Sequence, residues 1–395
     1  MERASASTKP EYRLSADRRL LCVSAALAAL AAPLSVAHAG ATFNFGPDNE
    51  QSISVGLGMR ASATSDSRGN DTGGQSTDFN LDSVRLYVNA QLDKQIGATF
   101  NTERDADGNI KVLDGYARFE FADVFNIWAG RMLPPSDRSN LDGPYYLSSY
   151  NYPGVVSQYP AKFDGRDDGV TVWGKLFKKR LTYAFGVFDG HDRIGGAANQ
   201  NHNPLLAGRV AFNFWDVEDN PAYYTSSTYY GTANVLTIAL AGQSQKDGVG
   251  TAAQHGDYES WNIDALMEKK AFNGGAITLE GAYYNYSTGG VIDVPSNFNG
   301  AGPEDNVGGL TQGQAYLASA GLLFPQEVGI GKFQPVVRYQ EFDASLAHVT
   351  TRQYDTSLNY IIKGHNARLS LDWAHIDASG AHSDDRVTGG LQVQF

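Results

Sequence analysis

The 395-residue chain contains a single cysteine, Cys22, and it sits in an N-terminal apolar stretch. Beyond residue 39 the sequence therefore offers no disulfide, no thiolate metal site and no cysteine nucleophile. It also lacks any later apolar run of 18 or more residues, which excludes a membrane-spanning helix there. Charged residues make up 19%, less than the roughly one quarter usual in soluble domains, and lysine is sparse. A net charge of −12 without a dense basic stripe argues against nucleic acid as a partner. The eight histidines form no H-E-x-x-H, and no G-x-S-x-G occurs. "DADGN" (105–109) opens like a calcium loop but lacks the glycine at the sixth position and the downstream glutamate. No cofactor, metal or catalytic residue is expected from these patterns.

What is present begins with a leader. Arg18 and Arg19 precede the 13-residue apolar run Leu20–Ala32, broken by Pro33 and followed by Ala37 and Ala39 in A-x-A spacing. Charge, a short apolar core and a small-residue site make a secretory signal peptide. The run would form roughly 20 Å of helix, too short for the ~30 Å apolar core of a bilayer. Cleavage is expected after Ala39, leaving residues 40–395 as one domain with 26 Lys+Arg against 40 Asp+Glu.

Period-2 alternation runs along most of that domain. In 53–60, Ile53, Val55, Leu57 and Met59 oppose Ser54, Gly56, Gly58 and Arg60. In 113–121, Leu113, Ala117, Phe119 and Phe121 oppose Asp114, Tyr116, Arg118 and Glu120. Sixteen such strands can be placed between residues 52 and 395. Their connections alternate between tight turns such as "DKQ" (93–95) and "KKR" (178–180) and longer polar loops such as 65–79, 133–167 and 288–312. An even strand number with short turns at one rim and long loops at the other predicts an all-β, 16-stranded antiparallel transmembrane β-barrel, with short periplasmic turns and long extracellular loops, in the bacterial outer membrane. One connection departs from the pattern: 216–232 falls where a tight turn belongs. The last strand, "GGLQVQF" (389–395), ends on Phe395, with Leu391 and Val393 expected to face lipid and Phe395 at the interface.

Several stretches resemble the phosphate-selective porin O and P family in its broad proteobacterial sense. They include "WAGRMLPPSD" (128–137) followed by "GRDDGVTVWG" (165–174), "YAFGVFDG" (183–190), "GRVAFNFWD" (208–216), "TYYG" (228–231) and "FQPVVRYQEFD" (333–343). The resemblance implies a sixteen-stranded, trimeric porin. It makes 216–232 a family feature, and it makes the terminal Phe395 an assembly signal for the barrel-insertion machinery. Lipid and lipopolysaccharide would surround such a protein.

Parity assigns Arg60, Arg85, Arg118, Arg209, Arg338, Arg368 and Arg386 to the polar, pore-lining faces of their strands. Asp114 and Glu120 share that lumen, as do Glu103, Asp264, Glu268, Glu280, Asp355 and Asp372. A column of permanently charged guanidinium groups would guide anions. The loop 133–167, 35 residues with five prolines and five tyrosines, is the expected constriction. Its available charges are Arg131, Asp137, Arg138, Asp142, Lys162, Asp164 and Arg166. The function these features point to is passive diffusion of small hydrophilic solutes and ions, with an anion or phosphate preference as a finer expectation. Two other readings stay open. One is a barrel enzyme of lipase or protease type; the other is an adhesin-like barrel with an occluded lumen.

The leader makes the first testable prediction. Intact-mass measurement of the exported protein should give a chain beginning at Gly40; a mass that retains residues 1–39 would contradict it.

Overall fold

The computed structural model describes residues 40–47, 49–69, 73–104, 108–159, 163–191, 197–292 and 310–395. The leader and Lys162 lie outside the described residues. In chain order the elements are β1 (Ala41–Phe45), β2 (Gln51–Asp66), β3 (Ser76–Gln91), β4 (Ile96–Arg104), β5 (Ile110–Ala122), β6 (Phe125–Met132), the helix α1 (Arg138–Tyr146), β7 (Asp167–Leu176), β8 (Leu181–Phe188) and β9 (Leu205–Asn213). There follow β10 (Val235–Gly250), β11 (His255–Ala271), β12 (Gly275–Ser287), β13 (Gly313–Leu323), β14 (Lys332–Ala344), β15 (Val349–Lys363), β16 (Ala367–Ala378) and β17 (Asp384–Gln394). From β2 to β17 each strand pairs antiparallel with the next, and β17 pairs back onto β2, closing a sixteen-stranded barrel.

The short β1 is outside the expected set. It pairs with Gln51–Val55 of β2, while β17 pairs with Gly58–Asp66 on the same edge. β17 and β1 therefore lie end to end along β2, and the Phe395 amide and carbonyl complete the junction through Leu57. No stretch of that edge is left with unpaired backbone groups, the liability of an open strand.

Burial is inverted relative to a globular protein. Gln334, Gln340, Asn359 and Gln392 are completely buried, while Val337, Leu358, Leu369 and Leu371 on the alternate positions are about half exposed. Polar residues face inward and an apolar band faces outward, the arrangement of a barrel whose surroundings are lipid. Aromatic rings border that band on both sides. Trp261, Tyr283 and Tyr316 form a row below the long-loop rim, with ring centroids 5.2 Å apart at each step. Phe121 with Phe125 and Phe333 with Tyr360 lie at the short-turn rim. Among the described residues no helix is long and apolar enough to cross a membrane, and crossing by strands needs none.

One parity assignment and one loop-charge assignment are corrected. A bulge between β4 and β5 leaves Leu113 unpaired and fully buried, so it does not share the outer face of Ala117 and Phe119. Arg131 is still within β6 and points away from the buried Trp128 and Met132, pairing with Asp168 at 2.7 Å. It therefore does not join the constriction.

Wall glycines receive loop tyrosines. A Cβ on Gly390 would stand 2.4 Å from the Tyr150 ring, and one on Gly58 would stand 2.9 Å from the Tyr145 hydroxyl. Gly390→Val should push Tyr150 off the wall and lower barrel stability by about 1–3 kcal/mol. A urea midpoint identical to that of the parent would show that Tyr150 is not seated there.

Candidate functional site

The connection from β6 to β7 turns into the barrel. Asp137 caps α1 by accepting the Asn140 amide at 3.0 Å. The helix breaks at Gly143 (φ 58, ψ 178) because Pro144 disfavours helical geometry in the residue before it and only glycine tolerates the conformation that results. Leu133, Leu141 and Val156 pack with Trp128, Tyr223 and Tyr284 in a lumenal apolar cluster. Asp137 also accepts from Tyr284 at 2.6 Å and Ser157 at 3.2 Å, fixing the start of α1 to β12 and to the loop's own return.

The segment after α1 is held by its backbone. Arg368 donates to the Leu147 carbonyl at 2.6 Å and Asn359 to the Ser148 carbonyl at 2.7 Å. Arg60 donates to the Tyr150 carbonyl, and Arg338 to that of Asn151 at 2.9 Å. Asp372 accepts the Tyr150 and Asn151 amides at 2.8 and 3.3 Å. On the opposite wall, Arg209 and Gln243 donate to the carbonyls of Ser136 and Pro135 at 2.9 and 3.1 Å. A loop threaded through a lumen cannot pair its backbone within a sheet, and buried amide and carbonyl groups need partners. The wall side chains supply them.

Two of these arginines, Arg209 and Arg338, and several other lumenal ones are matched with acids. Arg85 pairs with Glu103, and Arg209 with Asp264 through two bonds of 2.5 and 2.8 Å. Arg338 meets Asp355 at 2.9 Å, Arg386 meets Asp66 at 2.9 Å, and Arg166 meets Asp114 at 3.0 Å. Arg118 reaches Glu120 at 3.5 Å, and Glu120 also accepts from Trp128. Cations and acids are thus interleaved pair by pair rather than gathered on opposing walls. Asp164 contributes its carbonyl to Arg166 at 2.7 Å.

A second segment enters from the other end. The β9–β10 ladder continues for two rungs, Phe214 to Leu236 at 2.8 Å and Asp216 to Asn234 at 2.9 Å, and the chain then turns into the lumen. Glu218 grips Arg138 at 2.7 and 3.2 Å. Arg138 donates to the Ser226 carbonyl at 2.9 Å, and Thr225 to the Arg138 carbonyl at 3.0 Å. Ser227 bonds Asp142. The anomalous length of 216–232 was the signal for this segment; its inward course was not readable.

Between loop and wall lies a cavity of about 1030 Å³ that opens toward the long-loop rim. It descends to Asn140 and Gly143 of α1 on one side and to Ser83, Arg85 and Glu103 of β3 and β4 on the other. A Cβ on Gly143 would touch nothing within 4 Å, so this point of α1 faces open space. Farther toward the short-turn rim the Arg118 and Glu120 side chains remain 17% and 29% exposed.

No protein-family model matches the chain, and no curated protein sequence does. Solved structures do. The anion-selective porin from Comamonas acidovorans aligns with TM-score 0.57 and 13% identity over 88% of this chain and 100% of that one. OmpF of Salmonella typhi, in complex with daunomycin, gives 0.58 and 12% over 89% and 100%. The outer membrane channel DcaP of Acinetobacter baumannii gives 0.55 and 11% over 89% and 99%. At these identities the likeness establishes the fold: the chain is a sixteen-stranded barrel of porin type.

Burial pushes the Asp137 carboxyl up to about 6, and Asp142 is raised as well, by burial and the neighbouring Glu280. A carboxyl raised by docking contributes stability that is complete below its free value and lost as pH rises through the docked value. Acidification from pH 7 to 5 should thus favour the docked loop through these groups. His365, pushed down to about 4 by burial and Arg368, acts in the opposite direction below its ordinary value. Amide exchange in 138–146, corrected for intrinsic rate, should gain less protection between pH 7 and 5 in Asp137→Asn than in the parent. Equal gains would remove Asp137 from the effect.

Proposed function

We propose that the protein is an outer-membrane porin that passes small hydrophilic solutes and ions by passive diffusion. The observation that carries this reading is the cavity between α1 and the β3–β4 wall, polar on both sides and bordered by Gly143. Its route is the gap beside α1, with the lumenal arginines and acids as the pore lining and residues 133–167 as the constriction. Because Arg85, Arg166, Arg209, Arg338 and Arg386 each face a carboxylate, most of the lining is locally neutral, which favours weak ion preference. An anion or phosphate preference in the manner of the phosphate-selective porins rests on Arg60, which borders the cavity and for which no carboxylate among the described residues lies within ion-pair distance; Arg368 is fully buried against the Leu147 carbonyl. We place the protein as a homotrimer, surrounded by lipid and lipopolysaccharide, with Phe395 read by the barrel-insertion machinery and residues 1–39 removed during export.

Single-channel recording in a planar bilayer, with reversal potential under a KCl gradient and phosphate then titrated in, tests the reading. Conductance in steps of three with weak ion preference and no phosphate block is expected. Strong anion selectivity with phosphate block would assign the finer, phosphate-selective role. No conductance from correctly folded barrels would overturn the porin reading in favour of a barrel enzyme or adhesin.

A further inference from the structure

We propose that residues 216–232 are a brace that sets the aperture from the short-turn side, holding α1 against displacement, with Arg138, Glu218 and His365 as positioning residues. The proposal rests on the channel reading and adds to it what fixes the constriction.

The brace has anchors of its own. Glu268 of β11 accepts from Thr228 Oγ1 at 2.8 Å and from the Tyr229 and Gly231 amides at 2.9 and 2.8 Å. Lys175 of β7 donates to the Asn220 carbonyl at 2.9 Å, and the Glu218 amide reaches Asn213 of β9 at 3.3 Å. Three strands therefore position this segment independently of α1.

Its contacts with α1 fall where a helix is least able to satisfy itself. The last carbonyls of a helix have no partner within it. Here the Tyr146 carbonyl accepts the Ser227 amide at 3.1 Å and the Ser226 hydroxyl at 3.3 Å. The Tyr145 carbonyl accepts Gln392 at 2.9 Å and faces His365 Nδ1 at 3.2 Å. The other nitrogen of His365 lies 2.9 Å from the Thr228 carbonyl and 3.1 Å from Ser226 Oγ, so one imidazole joins helix and brace. The Tyr146 and Tyr230 rings flank it, each with centroids 4.8 Å away. At the other end of α1 the Arg138–Glu218 pair has side chains 1% and 9% exposed. Asp264 also lies 3.7 Å from Arg138 but already takes two bonds from Arg209, so losing Glu218 would leave the buried guanidinium poorly compensated, and the contact resists separation.

Loop 133–167 is covalently attached only through β6 and β7. Wall side chains hold the segments on either side of α1. The brace adds contacts to both ends of the helix itself, from the side of the lumen opposite the loop's entry.

The test uses the full mature barrel, its folding checked by heat-modifiable gel mobility. In Glu218→Gln, amide exchange across 138–146 should accelerate at least about tenfold, as loss of a charge-assisted bond implies, and open-channel noise and conductance should rise. A Ser227→Cys/Asp142→Cys pair gives a reversible control in a mature chain that has no other cysteine. The oxidised form should be quiet, and reduction should restore noise. Unchanged α1 exchange in Glu218→Gln, or identical noise in oxidised and reduced forms, would overturn the brace. A parent barrel that does not conduct would overturn the channel reading instead, while the exchange comparison would still decide the brace.

Discussion

A polar group sealed away from water must find a partner, and the interior of this protein is organised around that requirement. A barrel with an apolar exterior places its polar side chains inside. A loop drawn into that interior brings backbone amides and carbonyls that no sheet can pair. Each solves the other's problem. Arg368, Asn359, Asp372, Arg60 and Arg338 read the backbone of Leu147–Asn151 almost residue by residue. The shape of the lumen is a consequence of where those bonds can form.

Electrostatics follow from the same packing. A guanidinium offers five donors and can bond a carbonyl and a carboxylate at once. Arg209 does so with Ser136 and Asp264, and Arg338 with Asn151 and Asp355. A charge that serves two fixed partners positions the loop and contributes little free field to the passage. The lumen is rich in charge, and Arg85, Arg166, Arg209, Arg338 and Arg386 are each matched by a carboxylate.

The interior is also asymmetric. The 147–151 segment lies against β14 to β17 and β2, while the cavity, bounded above that segment by residues of the same strands, reaches down to Ser83, Arg85 and Glu103 of β3 and β4. Glycines at 58 and 390 let tyrosines approach the filled wall, while Gly143 keeps a side chain out of the open one. The brace from the opposite rim meets α1 at its orphan carbonyls, so the two inward segments close each other's unsatisfied ends.

Much of the barrel was legible because its cause is local. A strand between lipid and a wet lumen alternates with period two, and that period located the sixteen barrel strands and the ending at Phe395. Local signals also marked α1, in Asp137 as a cap and Gly143–Pro144 as a break, but five prolines obscured them. Arg131 could have been placed outside by counting from Trp128. Other features depended on tertiary structure. Arg209 and Asp264 are 55 positions apart and Arg60 and Tyr150 are 90 apart, so neither pairing has a trace in spacing. The inward turn of 216–232 likewise answers to neighbours far along the chain, such as Arg138 and Glu268. Alternation is a property of one strand and can be read from it. The satisfaction of buried polar groups is a property of the closed ring and its contents, and only the folded protein decides it.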